Sequence, residues 1–185
     1  VRLTPNPELP TSATSVARLL LQALPRGGGF STSARSALGI TMANSIFVPA
    51  LRMPTDILEL SSVINFAFAE LGFLTPSVRI DKQGRESLSL TDGFIMIEGQ
   101  HDKDQCWVSI GRCDPKFTGD AECCILCDVK TRGSWLFAAV VAYAFCKAWG
   151  RTVFNDAGEL DGQETYSAES LKEVILKANP TRRDA

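Results

Sequence analysis

Three cysteines within five residues, Cys123, Cys124 and Cys127, form the group in this chain with the most obvious chemical potential. Cys124 and Cys127 have the two-residue spacing of a zinc knuckle or a redox pair. Spacing is half of the requirement, because the sulfurs must also converge. The run Ala121-Glu-Cys-Cys-Ile-Leu-Cys-Asp-Val reads as a strand, in which Cys123, Ile125, Cys127 and Val129 point one way and Cys124 and Leu126 the other. Cys124 and Cys127 would then lie on opposite faces and could not grip one ion. These thiols are expected to fill a core, with no metal bound. Adding Cys113 and His101 would bring the donors to four, at spacings that match no zinc pattern.

His101 is the only histidine, so imidazole acid–base chemistry would have to run through it. It sits in Glu98-Gly-Gln-His-Asp-Lys-Asp, a polar turn between two predicted strands, and reads as a solvated turn residue. No Gly-x-Ser-x-Gly elbow occurs, and neither Ser31 nor Ser33 has a visible base partner. Arg26-Gly-Gly-Gly-Phe-Ser has the composition of a phosphate-cradling loop. It follows a helix pattern rather than a strand and lacks the Gly-Lys-Ser/Thr ending of a P-loop. Asn155-Asp-Ala-Gly-Glu-Leu-Asp-Gly-Gln-Glu is rich in oxygen ligands and contains two glycines, yet its order does not match an EF-hand. As a functional feature, Asp156, Glu159, Asp161 and Glu164 would offer a negative rim to a basic protein partner. No catalytic residue and no cofactor emerge from these groups.

The elements that must carry them can be read from periodicity. Val16, Leu19, Leu20, Ala23 and Leu24 make an apolar helical stripe after Ser12-Ala-Thr-Ser, ended by Pro25 and the glycines that follow. Phe30 to Ala43 reads as a loop and Ser45 to Leu51 as a strand. Pro54-Thr55-Asp56 marks a second helix, with a capping hydroxyl and an acid in the first turn, running to Gly72 with Ile57, Leu60, Ile64, Phe68 and Leu71 on one face. Then the period becomes two: Ser77 to Asp81, Leu88 to Leu90, Gly93 to Glu98, Gln105 to Gly111 and Ala121 to Val129 are short strands joined by polar turns. Short connections imply antiparallel pairing and hence a meander. Ser134 to Trp149 is apolar almost all the way round, so it must lie in the middle of the protein. A short strand, Arg151 to Asn155, the acidic turn and a helix opening at Ser167-Ala-Glu complete the chain. The pattern predicts a single α+β domain over 1–185, an antiparallel meander sheet with helices mainly on one face, and frayed ends at 1–10 and 180–185.

Composition narrows the function classes. The formal net charge of −2 and sequence pI of about 5.5 provide no basic field for nucleic acid or an anionic membrane. The acidic excess lies in residues 98–185, where fourteen acids face eleven bases, suiting a basic partner. The longest apolar run, Trp135 to Cys146, is well short of the roughly 20 residues that cross a bilayer. Residues 10–54 hold four arginines and no acid, as a mitochondrial transit peptide would, but Ile46-Phe-Val-Pro-Ala-Leu reads as a folded strand. The six cysteines all fall after residue 100, a distribution expected of free, mostly buried thiols in a reducing compartment rather than a secreted disulfide framework.

The order of features from 121 onward, a strand, the buried Ser134-Trp-Leu-Phe-Ala-Ala-Val-Val-Ala-Tyr-Ala-Phe-Cys helix, Gly150, a strand ending in Asn155-Asp156-Ala-Gly-Glu, then Tyr166-Ser-Ala-Glu-Ser-Leu, resembles the C-terminal half of bacterial immunity proteins of polymorphic and type VI secreted toxins. The resemblance covers about sixty residues. It implies a non-enzymatic cytoplasmic protein that binds a cognate toxin and occludes it. Two alternatives stand beside it: a small hydrolase or transferase assembled from His101, Asp102, Ser31 and one reactive cysteine, and an accessory subunit that forms a homodimer through exposed apolar surface.

Overall fold

The computed structural model describes residues 45–82, 85–86, 89–91, 93–155 and 157–179. The helix expected after Ser12, the glycine loop, Ser31, Ser33, Asp156 and both chain ends lie outside the described residues. Among the described residues eight strands form one antiparallel sheet: β1 (Ser45–Ala50), β2 (Ser77–Lys82), β3 (Arg85–Glu86), β4 (Phe94–Glu98), β5 (Gln105–Arg112), β6 (Ile125–Thr131), β7 (Val153–Asn155) and β8 (Thr165–Tyr166). Their order across the sheet is β3-β2-β4-β5-β6-β1-β7-β8. The helices are α1 (Ile57–Glu70), the short α2 (Pro115–Thr118), α3 (Trp135–Trp149) and α4 (Ala168–Ala178).

The α+β class and antiparallel sheet are as the periodicity predicts, but the meander is interrupted. Strands β6 and β7 each pair antiparallel with β1 and so run in the same direction. Such strands need a long crossover, which α3 supplies, and β1 fills the gap between them. Ile46, Val48 and Ala50 of β1 are therefore at the centre of the core, each fully buried.

Helix α3 occupies the middle of the covered face, touching α1 and α4 on its flanks and β1, β5, β6 and β7 beneath. Its apolar circumference is thereby used on every side, and residues Phe137 to Cys146 are all buried. Ala138, Ala139, Ala142 and Ala144 keep it slim enough to approach its neighbours. Ser134 caps its N-terminus, accepting from the Phe137 amide at 3.2 Å, and Gly150 closes it. No helix among the described residues is long and apolar enough to cross a membrane.

Three local expectations need correction. The group capping α1 is the Asp56 carboxylate, 2.8 Å from the Glu59 amide, while the Thr55 hydroxyl donates to Glu59. Ser89 and Leu90 do not form a strand; Leu90 is buried in a turn and β3 lies earlier. Strand β6 starts four residues later than Ala121 because side chains hold the preceding segment in a turn. The Asp120 carboxylate accepts from the Glu122 amide at 2.9 Å, and Thr118 Oγ1 lies 3.0 Å from the Pro115 carbonyl and 3.2 Å from that of Cys123. Helix α2 and strand β8 are too short to leave a periodic trace.

Candidate functional site

With all the larger helices on one side, the other face of the sheet meets no helix among the described elements. The register shows what it carries. One row across the strands runs Arg79, Met96, Trp107, Lys130, Ser45. The neighbouring row on the same face brings Ser109, Asp128, Phe47 and Phe154 together. Strand alternation puts Cys106, Val108, Ile110, Cys127 and Val129 under the helices and leaves this second set outward.

Aromatic and cationic groups interlock here. The Arg132 guanidinium stacks 3.7 Å from the centre of the Trp107 ring. Phe94, 42 % exposed, packs against Trp107 with centroids 5.6 Å apart, and Lys130 Nζ sits 5.5 Å over Phe94. Lys130 is also paired with Asp128 at 3.1 Å. Trp107 Nε1 and Asp128 Oδ1 make no hydrogen bond among the described residues. Tryptophan and arginine backed by apolar neighbours is the composition that concentrates binding energy at protein interfaces. The sequence conceals this face, since its residues alternate with core residues and come from six strands.

The acidic turn leaves β7 at the same end of the sheet. Ile46 pairs with Asn155, one rung from the row containing Trp107 and Lys130. From β5 to β7 is three strand steps, about 14 Å, so one partner of ordinary footprint can cover both features. Glu159, Asp161 and Glu164 are exposed; Asp156 is not among the described residues. Asp161 also braces the turn internally, accepting from the Tyr166 hydroxyl at 2.5 Å and from the Gln163 amide at 3.1 Å. Those bonds hold its carboxyl below the usual range. Burial, followed by the Asp161 carboxylate, pushes Tyr166 up to about 12.

His101 lies in the β4–β5 hairpin, exposed, with the Gly99 amide donating to the Asp104 carbonyl and the Asp104 amide to the His101 carbonyl. The hairpin is clamped to the start of α3 by the Ser134 amide, 2.7 Å from the Lys103 carbonyl. A cavity of about 300 Å³ adjoins it, walled by Phe68, Phe73, Leu74, Leu136 and Phe137 and reached by His101 and Ser134. The Ser134 hydroxyl is engaged as the α3 cap, and among the described residues no hydrogen bond joins it to His101. No cysteine lines this cavity.

The cysteines differ in exposure. Cys106, Cys123, Cys127 and Cys146 are buried, Cys113 is half-buried and Cys124 is exposed. Burial pushes the Cys127 thiol up to about 12 and the Cys146 thiol to about 11, disfavouring the thiolate that a nucleophile or metal ligand needs. No group of three or more His, Cys, Asp or Glu among the described residues is placed to hold a metal ion. Comparison with known proteins found no matching family model, no matching curated protein and no matching solved structure.

Proposed function

We propose that this protein works by binding another protein, as the antidote of a secreted bacterial toxin, and that it uses the sheet face left open by the described helices together with the acidic turn. The observation that carries the reading is the cluster of Trp107, Arg132, Phe94 and Lys130 on a sheet face that no described helix covers. An anchor of this composition beside an acidic rim fits a partner with an apolar pocket and a basic border. Glu159, Asp161 and Glu164, with Asp156, would steer encounter, while Trp107 and Arg132 would hold the complex. The resemblance of the C-terminal third to immunity proteins points to a toxin encoded next to this chain and met in the bacterial cytoplasm.

A hydrolase or transferase centred on His101 draws less support, because the Ser134 hydroxyl in the adjoining cavity is committed to capping α3 and the cavity surface is mainly apolar. Co-expression with the adjacent toxin gene tests the proposal. Growth should be restored by the wild-type chain and lost again with Trp107→Ala. A wild-type chain that neither binds nor neutralises that toxin refutes it.

A further inference from the structure

The β5–β6 ladder continues one rung past its last paired strand residues. Arg112 is opposite Ile125, and the Cys113 amide then donates to the Cys124 carbonyl at 3.0 Å. Cys113 and Cys124 thus lie opposite each other just beyond the end of the two strands. At the other end of the same ladder the Arg132 amide donates to the Gln105 carbonyl at 3.0 Å, so the hydrogen-bonded rungs fall at Gln105, Trp107, Ser109, Gly111 and Cys113. Side chains of one rung class share a face, and here that is the face that no described helix covers.

Hydrogen-bonded antiparallel partners have Cα atoms about 5.5 Å apart, in the middle of the roughly 4.4–6.8 Å span that a disulfide bridges. The Cys113 Sγ lies 3.9 Å from the Cys123 carbonyl oxygen, so this side chain leans toward the segment that leads into β6. Both thiols are reachable, Cys124 exposed and Cys113 half-buried, whereas Cys106, Cys123, Cys127 and Cys146 are at most 2 % exposed.

We infer that Cys113 and Cys124 form a dithiol site that closes to an intramolecular disulfide by exchange with a small-molecule disulfide of the glutathione class. Cys124, the more exposed, loses its proton and attacks one sulfur of glutathione disulfide. A Cys124–glutathione bond forms and one glutathione thiolate leaves. Cys113, deprotonated in turn, attacks the Cys124 sulfur, forming the Cys113–Cys124 bond and expelling the second glutathione thiolate. The two cysteine protons end on the two glutathione thiols; the cysteines lose two electrons and glutathione disulfide gains them. Burial and the nearness of Cys124 raise the Cys113 thiol above its ordinary value, consistent with Cys113 acting second. The inference is independent of the binding proposal, since a face that binds nothing would still close this bond.

The test treats the folded chain with oxidised glutathione, alkylates without reducing, and reads intact mass and fragmented peptides. The expected product is lighter by two hydrogens, carries a Cys113–Cys124 link and has lost both accessible thiols. Cys113→Ser should stall as a stable glutathione adduct on Cys124, and Cys124→Ser should yield no internal link, with unchanged circular dichroism for both. A wild-type chain that accumulates the mixed disulfide without closing, links Cys113 to Cys123 instead, or forms covalent dimers overturns the inference.

Discussion

Glu70 ends α1 and ties three helices together, which makes its removal a quantitative probe of the helical layer. Its Oε2 accepts from the Tyr143 hydroxyl at 3.0 Å and from Lys147 Nζ at 2.7 Å, both on α3, and its Oε1 accepts from Lys172 Nζ of α4 at 2.8 Å. The two lysine hydrogen bonds, Lys147 first, hold its carboxyl down at about 2, against an ordinary 4.5. Taken at face value such a shift is worth about 3 kcal/mol of stability by linkage. The carboxylate is 22 % exposed and the lysines 42 % and 37 %, so solvent screens the cluster and about 1 kcal/mol is the reasonable expectation. Glu70→Gln keeps the shape and removes the charge. Denaturant melts at neutral pH should show that loss, equivalent to a melting point about 3 °C lower for a domain of this size. Because the folded value lies below the unfolded one, the contribution is complete above pH 4.5 and is lost as pH falls toward about 2. The gap between wild type and variant should therefore shrink through that window. An unchanged gap at the acid end, or none at neutral pH, would refute the reasoning.

Other perturbations address separate parts of the structure. Gly133→Ala should lower the melting point sharply, because a Cβ there would run into the Lys103 carbonyl oxygen, whereas Gly111→Ala meets nothing within 4 Å and should be tolerated. Ala142→Leu overfills the packing around α3, where Ala142 is fully buried; a loss of about 1–3 kcal/mol in chemical denaturation is expected. Ser134→Ala removes the α3 cap and should reduce stability by about 1 kcal/mol in the same assay. Trp107→Ala and Arg132→Ala should each weaken toxin binding by about 2 kcal/mol, roughly 30-fold, with circular dichroism preserved.

Much of this fold is legible because periodicity and caps agree. Ser134, an all-apolar stretch and Gly150 locate α3 within a residue, and α1, α4, β4 and β5 follow from equally regular patterns. What escapes is set by contacts distant in sequence. The place of β1 between β6 and β7 depends on the α3 crossover, and the late start of β6 depends on the Asp120 and Thr118 side chains. The opposite exposures of Cys123 and Cys124 match the alternation read from the sequence, although the strand itself starts only at Ile125. Pairing Cys113 with Cys124 requires the register. The acidic turn is visible as a charge run, but Asp161's bond to Tyr166 is not. The aromatic face is hidden for a simple reason: Phe47, Phe94, Trp107 and Phe154 are scattered over four strands, and Phe47, Trp107 and Phe154 each sit between buried neighbours.

The central claim, that the sheet face left open by the described helices binds a toxin, is tested most directly by calorimetric titration of the proposed partner toxin with wild-type protein and with the Trp107→Ala/Arg132→Ala double variant. Saturable binding by wild type and a loss of affinity of well over tenfold in the folded variant are predicted. Equal affinity for both, or no heat of binding from wild type, would contradict the account.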